Sequence, residues 1–145
     1  MARLGDESAG RMTVEQFLIW LEDQPERPRY ELIDGVPLAM APHRAAHVRL
    51  KAEIWLALRD GIKSGGLPCE VFPDGMGVRI DEASLYEPDA VVHCGESLPG
   101  EEVLIPAPVI VVEVLSPSTP PRRYTPQARG LLSAAEPAPL PDRAG

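Results

Sequence analysis

Glu113 stands inside Val109-Ile-Val-Val-Glu-Val-Leu115, a lone carboxylate in an otherwise apolar run. The run does not alternate apolar with polar residues, so the strand it predicts needs cover on both faces and belongs at the centre of a sheet. A charge there must be compensated, because burying an unpaired carboxylate is costly. Either Glu113 reaches solvent or an arginine at the C-terminal mouth of the strand, or it shares a cation with a second acid. Asp89 is that second acid. It follows Pro88 where another apolar strand, Pro88 to His93, begins, although a turn-capping aspartate is common at such a place. Two carboxylates converging at one end of a sheet suit a hard divalent cation that takes oxygen ligands and keeps several waters. The ion expected at Asp89 and Glu113 is Mg2+, with Mn2+ as a substitute.

The elements that must position these acids are readable in the same way. Thr13 and Gln16 form a capping box ahead of Val14, Phe17, Leu18 and Leu21, which predicts a helix over 13–22. The segment from Arg29 to Met40 reads as two short strands turning at Asp34-Gly35, with Tyr30 and Leu32 on one face and Glu31 beside Ile33 on the other. Apolar residues recur at helical spacing from Arg44 to Ile62, and Gly65-Gly66 supplies a stop. Strands are expected at Pro68 to Phe72 and Met76 to Ile80, joined at Pro73-Asp74-Gly75, with a loop over Asp81 to Leu85.

Six prolines fall among residues 119–145 with no sustained period, so that tail is expected to stay largely disordered apart from a helical turn near Gln127 to Leu132. The expected organisation is a flexible start over 1–11, one folded domain over 12–118 and the proline-rich tail.

Of the 145 residues, 44% are hydrophobic, enough for one domain with its own core. The formal net charge of −8 argues against a generic, charge-driven nucleic-acid binder. A local basic face survives that exclusion: the stretch 27–63 holds seven basic side chains against four acidic ones. Arg44 and Arg49 lie in it and are candidate contacts to phosphate or DNA, as is His47. His47 shares a helical side with Leu50 and Ile54, so it reads equally well as a core-edge histidine. Lys51 reads as part of a solvated helix face. His43 and His93 add no ligand spacing, and zinc is not expected. Cys69 and Cys94 make no disulfide framework and no CxxC site, which points to a reducing cytoplasm. No stretch is long and unbroken enough to cross a bilayer, so a soluble protein with no membrane partner is expected.

Four motifs in order, Tyr30-Glu-Leu-Ile-Asp-Gly, His47 on the following helix, Glu87-Pro-Asp-Ala-Val-Val and Val112-Glu-Val-Leu-Ser-Pro-Ser, resemble the bacterial Uma-two family of "putative restriction endonucleases". The resemblance covers roughly residues 12–119. It implies an α/β (α+β) fold of the restriction-endonuclease-like PD-(D/E)xK kind, a mixed β-sheet flanked by helices. It also implies metal-dependent hydrolysis of a phosphodiester in DNA, and a homodimer is compatible with the chain. On this resemblance Asp89 is similar to the metal-binding aspartate, Glu113 to the acid of the second half-motif, and Glu31 to a further acid that orients water at the ion.

The departure lies beyond Glu113. The superfamily pattern includes a lysine near the second acid, and no lysine follows Lys63 here. Pro120 to Arg129 stands where resembling proteins carry an aspartate-and-lysine helix, so the fold is expected to be incomplete at its C-terminus, as in a shortened or frameshifted gene. Two functions follow as expectations: a magnesium-dependent endonuclease with impaired activity, or a non-catalytic remnant that binds nucleic acid or protein.

Overall fold

Thr13 caps the first helix, α1 (Val14–Glu22): its side chain accepts the Gln16 N–H at 3.2 Å while the Gln16 side chain accepts the Thr13 N–H at 2.9 Å. The computed structural model describes residues 10–117, Tyr124 and the backbone of 131–135. After α1 come β1 (Tyr30–Ile33), β2 (Val36–Ala39), α2 (Ala45–Gly65), β3 (Cys69–Pro73), β4 (Val78–Asp81), β5 (Ser84–Tyr86), β6 (Ala90–Cys94), β7 (Ile110–Leu115) and β8 (Leu131–Ala135).

β1 and β2 form the expected hairpin. Asp34 and Gly35 both take positive φ, 48° and 81°, the pair a tight hairpin turn requires. A side chain at position 35 would also meet the Arg11 Cβ, so glycine is needed there twice over. α2 ends where Gly66 adopts the left-handed conformation, a few residues past the predicted limit.

The strands make two four-stranded sheets, ordered β2-β1-β5-β4 and β3-β6-β7-β8. The first is antiparallel. The second is mixed, because β8 runs parallel to β7 while β3, β6 and β7 are antiparallel neighbours. β7 is internal, flanked by β6, and both its faces are covered as its lack of alternation demands. Val111 joins Val91 in a core shared with Val78 and Ile80 of the first sheet, whereas Val112 joins Ala90, Val92 and Val71 under Ile54, Trp55, Leu58 and Ile62 of α2. Trp55 Nε1 donates to the Val71 carbonyl at 3.1 Å, tying α2 to β3. On the far side α1 packs Val14 and Phe17 on Leu32 and Leu85 of the first sheet.

Five expectations need correction. β3 and β4 do not form a hairpin across Pro73-Asp74-Gly75: they enter different sheets, because β3 pairs with β6 and β4 with β5. The expected loop over Asp81 to Leu85 shrinks to a tight turn, with Ser84 and Leu85 buried in β5. The tail expected to stay outside the fold contributes β8, whose partner is the most apolar strand of the protein. Of the helical turn expected near 127–132, residues 131 and 132 are strand, and 127–130 lie outside the described residues. Finally, Cys69 and Cys94 are not separate thiols: they face each other in the β3–β6 register and are joined as a disulfide, with Cα atoms 3.9 Å apart.

Candidate functional site

β6 and β7 bring the two acids of the sequence reading to one place. Asp89 precedes β6 and is 7% exposed. Its N–H donates to the Val112 carbonyl at 3.0 Å, and its Oδ2 accepts the Val114 N–H at 2.6 Å. The half-buried Glu113 accepts a hydrogen bond from the Tyr124 hydroxyl. Asp89 and Glu113 line a cleft of about 570 Å³ together with Glu31, His43, Arg44, His47 and Glu87. The β1–β2 hairpin forms one wall, with the N-terminal end of α2 and the Ser116-Pro117 turn closing the others.

Glu31 is buried on β1, and its Oε2 accepts the Glu87 N–H at 2.7 Å, which fixes the carboxylate against the approach to β6. His47 Nε2 lies 3.3 Å from Asp89 Oδ1. Arg44 is the N-cap of α2 and an exposed part of the cleft wall, whereas Arg49 is exposed further along the helix and does not line the cleft. Five of the six residues singled out in the sequence thus share one cavity, and Arg49 is the exception.

Several neighbours were not visible in sequence. Asp74 Oδ2 accepts hydrogen bonds from Arg29 Nη2 at 2.8 Å and Lys51 Nζ at 3.0 Å. Burial pushes the Asp74 carboxyl up, but these two cations together hold it below the ordinary aspartate range. Lys51 is 13% exposed, not part of a solvated face, and its Nζ also stands 3.9 Å from Asp89 Oδ1. Glu87 Oε2 is buried with Arg29 Nη1 at 3.4 Å and no hydrogen-bond partner among the described residues. Burial pushes the Glu87 carboxyl up to about 7 against the pull of Arg29, and the nearby charges of Glu31 and Asp74 add to the rise.

His43 also departs from expectation: one ring nitrogen each from His43 and His47 and a carboxylate oxygen of Asp89 lie within 4.8 Å of one another. The signal in sequence was the His-x3-His spacing across the start of α2; the helical reading placed His47 at a core edge and gave His43 no ligand role. Desolvation lowers the His43 pKa, and the neighbouring His47 and Lys51 lower it further against Asp89 and Asp74. Glu31, Asp89 and Glu113 line the same cleft, but among the described residues the three ligand atoms that lie within 4.8 Å of one another belong to His43, His47 and Asp89.

Two sheets and two helices thus bring acids, imidazoles and an arginine to one cleft. The profile of Uma2, "Putative restriction endonuclease", matches residues 14–128, and the chain belongs to that family. The fold is similar to the crystal structure of "a putative nuclease belonging to DUF820" from Anabaena variabilis ATCC 29413, with a TM-score of 0.59 at 20% identity. That match covers 75% of this chain, which spans 61% of the other. No curated protein matches. Among the described residues, no helix is long and apolar enough to cross a membrane.

Proposed function

We propose that this chain is a magnesium-dependent endonuclease-like domain that hydrolyses phosphodiester bonds of DNA. The observation that supports the reading is the convergence of Glu31, Asp89 and Glu113 on one cleft at the meeting of β1, β6 and β7. Asp89 and Glu113 would hold the ion, with Mn2+ able to replace Mg2+. Such an ion, when bound, supplies Lewis-acid polarisation and a nucleophile at neutral pH. Glu31, held by the Glu87 N–H, orients the attacking water and receives its proton. Arg44 and His47 face the phosphate from the α2 end of the cleft, and Arg49 reaches backbone phosphates beyond it.

The reading includes impairment. Phosphoryl transfer needs donors for the charge that develops on the phosphate and the leaving oxygen, and losing one such group costs on the order of 100- to 1000-fold in rate. Residues 114–145 hold no lysine, and Lys51, 13% exposed, is committed to Asp74 and does not line the cleft. That absence also favours a second reading, a non-catalytic member of the fold that binds nucleic acid or protein.

A plasmid-nicking assay in Mg2+ or Mn2+, run with Asp89→Ala and with calorimetry of Mg2+, tests both. Slow nicking that Asp89→Ala abolishes supports the nuclease. Saturable Mg2+ binding without any Asp89-dependent nicking supports the binding module, and the absence of both overturns the metal site.

A further inference from the structure

We propose that His43, His47 and Asp89 form a binding site for a first-row transition-metal ion, chemically distinct from the carboxylate pair of Asp89 and Glu113. His47 Nε2 and Asp89 Oδ1 are 3.3 Å apart, and the His43 and His47 ring centroids are 4.0 Å apart. Ligands about 2.1 Å from a shared ion stand roughly 3–4 Å from one another, so the His47–Asp89 edge already has ligand spacing. His43 closes the triangle from the segment just ahead of α2, its ring set against that of His47 and one of its nitrogens within 4.8 Å of the other two ligand atoms. The two imidazoles come from positions 43 and 47, a spacing that puts both rings at one end of the helix.

The chemistry of the set selects the ion. Mg2+ takes oxygen ligands in a near-ideal octahedron and gives up its waters reluctantly. Two imidazoles and one carboxylate suit Co2+, Ni2+, Zn2+ and their neighbours, whose affinity for nitrogen donors exceeds that of Mg2+. The three protein ligands leave positions open for water or a phosphate oxygen, and they open onto the same cleft as Glu31 and Glu113.

Lys51 provides an independent sign that this donor set recognises a cation. Its ammonium lies 3.3 Å from His43 Nδ1 and 3.9 Å from Asp89 Oδ1, so a cation already sits against two of the three residues. Where His43 offers Nδ1 to the ion, that lone pair cannot serve the ammonium and the metal at once. Asp74, 3.0 Å from the same Nζ, gives the ammonium a partner to keep when an ion enters. Lys51 is therefore a built-in competitor that lowers the affinity of the site without being a ligand.

The test is calorimetric titration of the full, tag-free chain with CoCl2 and separately with MgCl2, with the visible absorption of Co2+ reporting nitrogen coordination and circular dichroism reporting the fold. Wild type should bind one Co2+ with a change in its visible spectrum. His43→Ala, at an exposed position, should keep the fold and weaken Co2+ by more than ~100-fold, beyond the roughly 10–100-fold that the loss of an outer-shell partner costs. His47→Ala should weaken it similarly, and Lys51→Gln should tighten it. Glu113→Ala should leave Co2+ binding unchanged while weakening Mg2+, which separates this site from the carboxylate pair whatever the fate of the nuclease reading. No saturable Co2+ binding by wild type, or equal Co2+ affinity in His43→Ala, overturns the site. Unchanged affinity in Lys51→Gln overturns the competitor.

Discussion

Asp89 grips β7 on both sides of Glu113: its N–H donates to the Val112 carbonyl at 3.0 Å and its Oδ2 accepts the Val114 N–H at 2.6 Å. The side chain that the functional reading assigns to an ion is therefore also a structural bracket, holding the end of β6 in register with the strand that carries the second acid.

Asp89→Asn and Asp89→Ala separate these two roles. Asparagine keeps a carbonyl oxygen for the Val114 N–H but removes the charge, whereas alanine leaves that buried N–H without its acceptor. Leaving a buried donor unsatisfied costs on the order of 1–3 kcal/mol. Urea denaturation without metal should show Asp89→Ala destabilised by that amount and Asp89→Asn close to wild type, while Mg2+ calorimetry shows both variants impaired. An Asp89→Asn chain that binds Mg2+ as tightly as wild type would remove Asp89 from the ion site.

Glu87 makes the metal-free fold sensitive to pH. Its carboxyl is pushed from the ordinary glutamate value of 4.5 up to about 7 in the folded chain, so the folded state holds the proton more tightly than the unfolded one. That contribution is fully present below pH 4.5 and is lost as pH rises through about 7. Glu87→Gln, neutral at every pH, should flatten this part of the curve and exceed wild type in stability at pH 8 by up to about 3 kcal/mol, at 1.36 kcal/mol per unit. Thermal unfolding in EDTA across pH 5–8 checks it; parallel curves for the two chains would show that Glu87 ionises freely.

The disulfide closes a loop between positions 25 residues apart, and a cross-link of that span restricts the unfolded chain by about 3 kcal/mol on a chain-entropy view. The double variant Cys69→Ser/Cys94→Ser should unfold at lower urea than the oxidised wild type, and dithiothreitol should bring the wild type down to the same midpoint. An oxidised wild type insensitive to dithiothreitol would mean that the bridge carries no stability.

What was legible in the sequence was local or strongly patterned. The capping box of Thr13 and Gln16, the Asp34-Gly35 turn and the unalternating run around Glu113 each specify their conformation within a few residues. Pairing between distant strands is not written that way. Nothing near Pro73-Asp74-Gly75 states that β3 and β4 part company, because their partners β6 and β5 lie further along the chain. The same holds for the site. Asp89 and Glu113 stand out because an acid entering an apolar strand is costly. Lys51 does not, because its partners Asp74 and Asp89 come from strand ends far away in sequence. His43 escaped because it precedes the helix whose periodicity placed His47.

Glu113→Gln should reverse its effect on stability when magnesium is added. In the metal-free chain Glu113 shares its cleft with Glu31, Glu87 and Asp89, and like charges in a half-buried cavity oppose one another. Glutamine removes one of those charges yet keeps an oxygen that can accept the Tyr124 hydroxyl, so the variant should melt above wild type in EDTA. Ion binding to the folded state adds stability only to a chain that can hold the ion, about 2.7 kcal/mol at a concentration 100 times Kd. Wild type should therefore gain more than Glu113→Gln as MgCl2 is titrated, and the two melting curves should cross. Curves that rise in parallel would mean that Glu113 takes no part in holding the ion, and a variant that melts below wild type already in EDTA would mean that its charge is compensated within the protein.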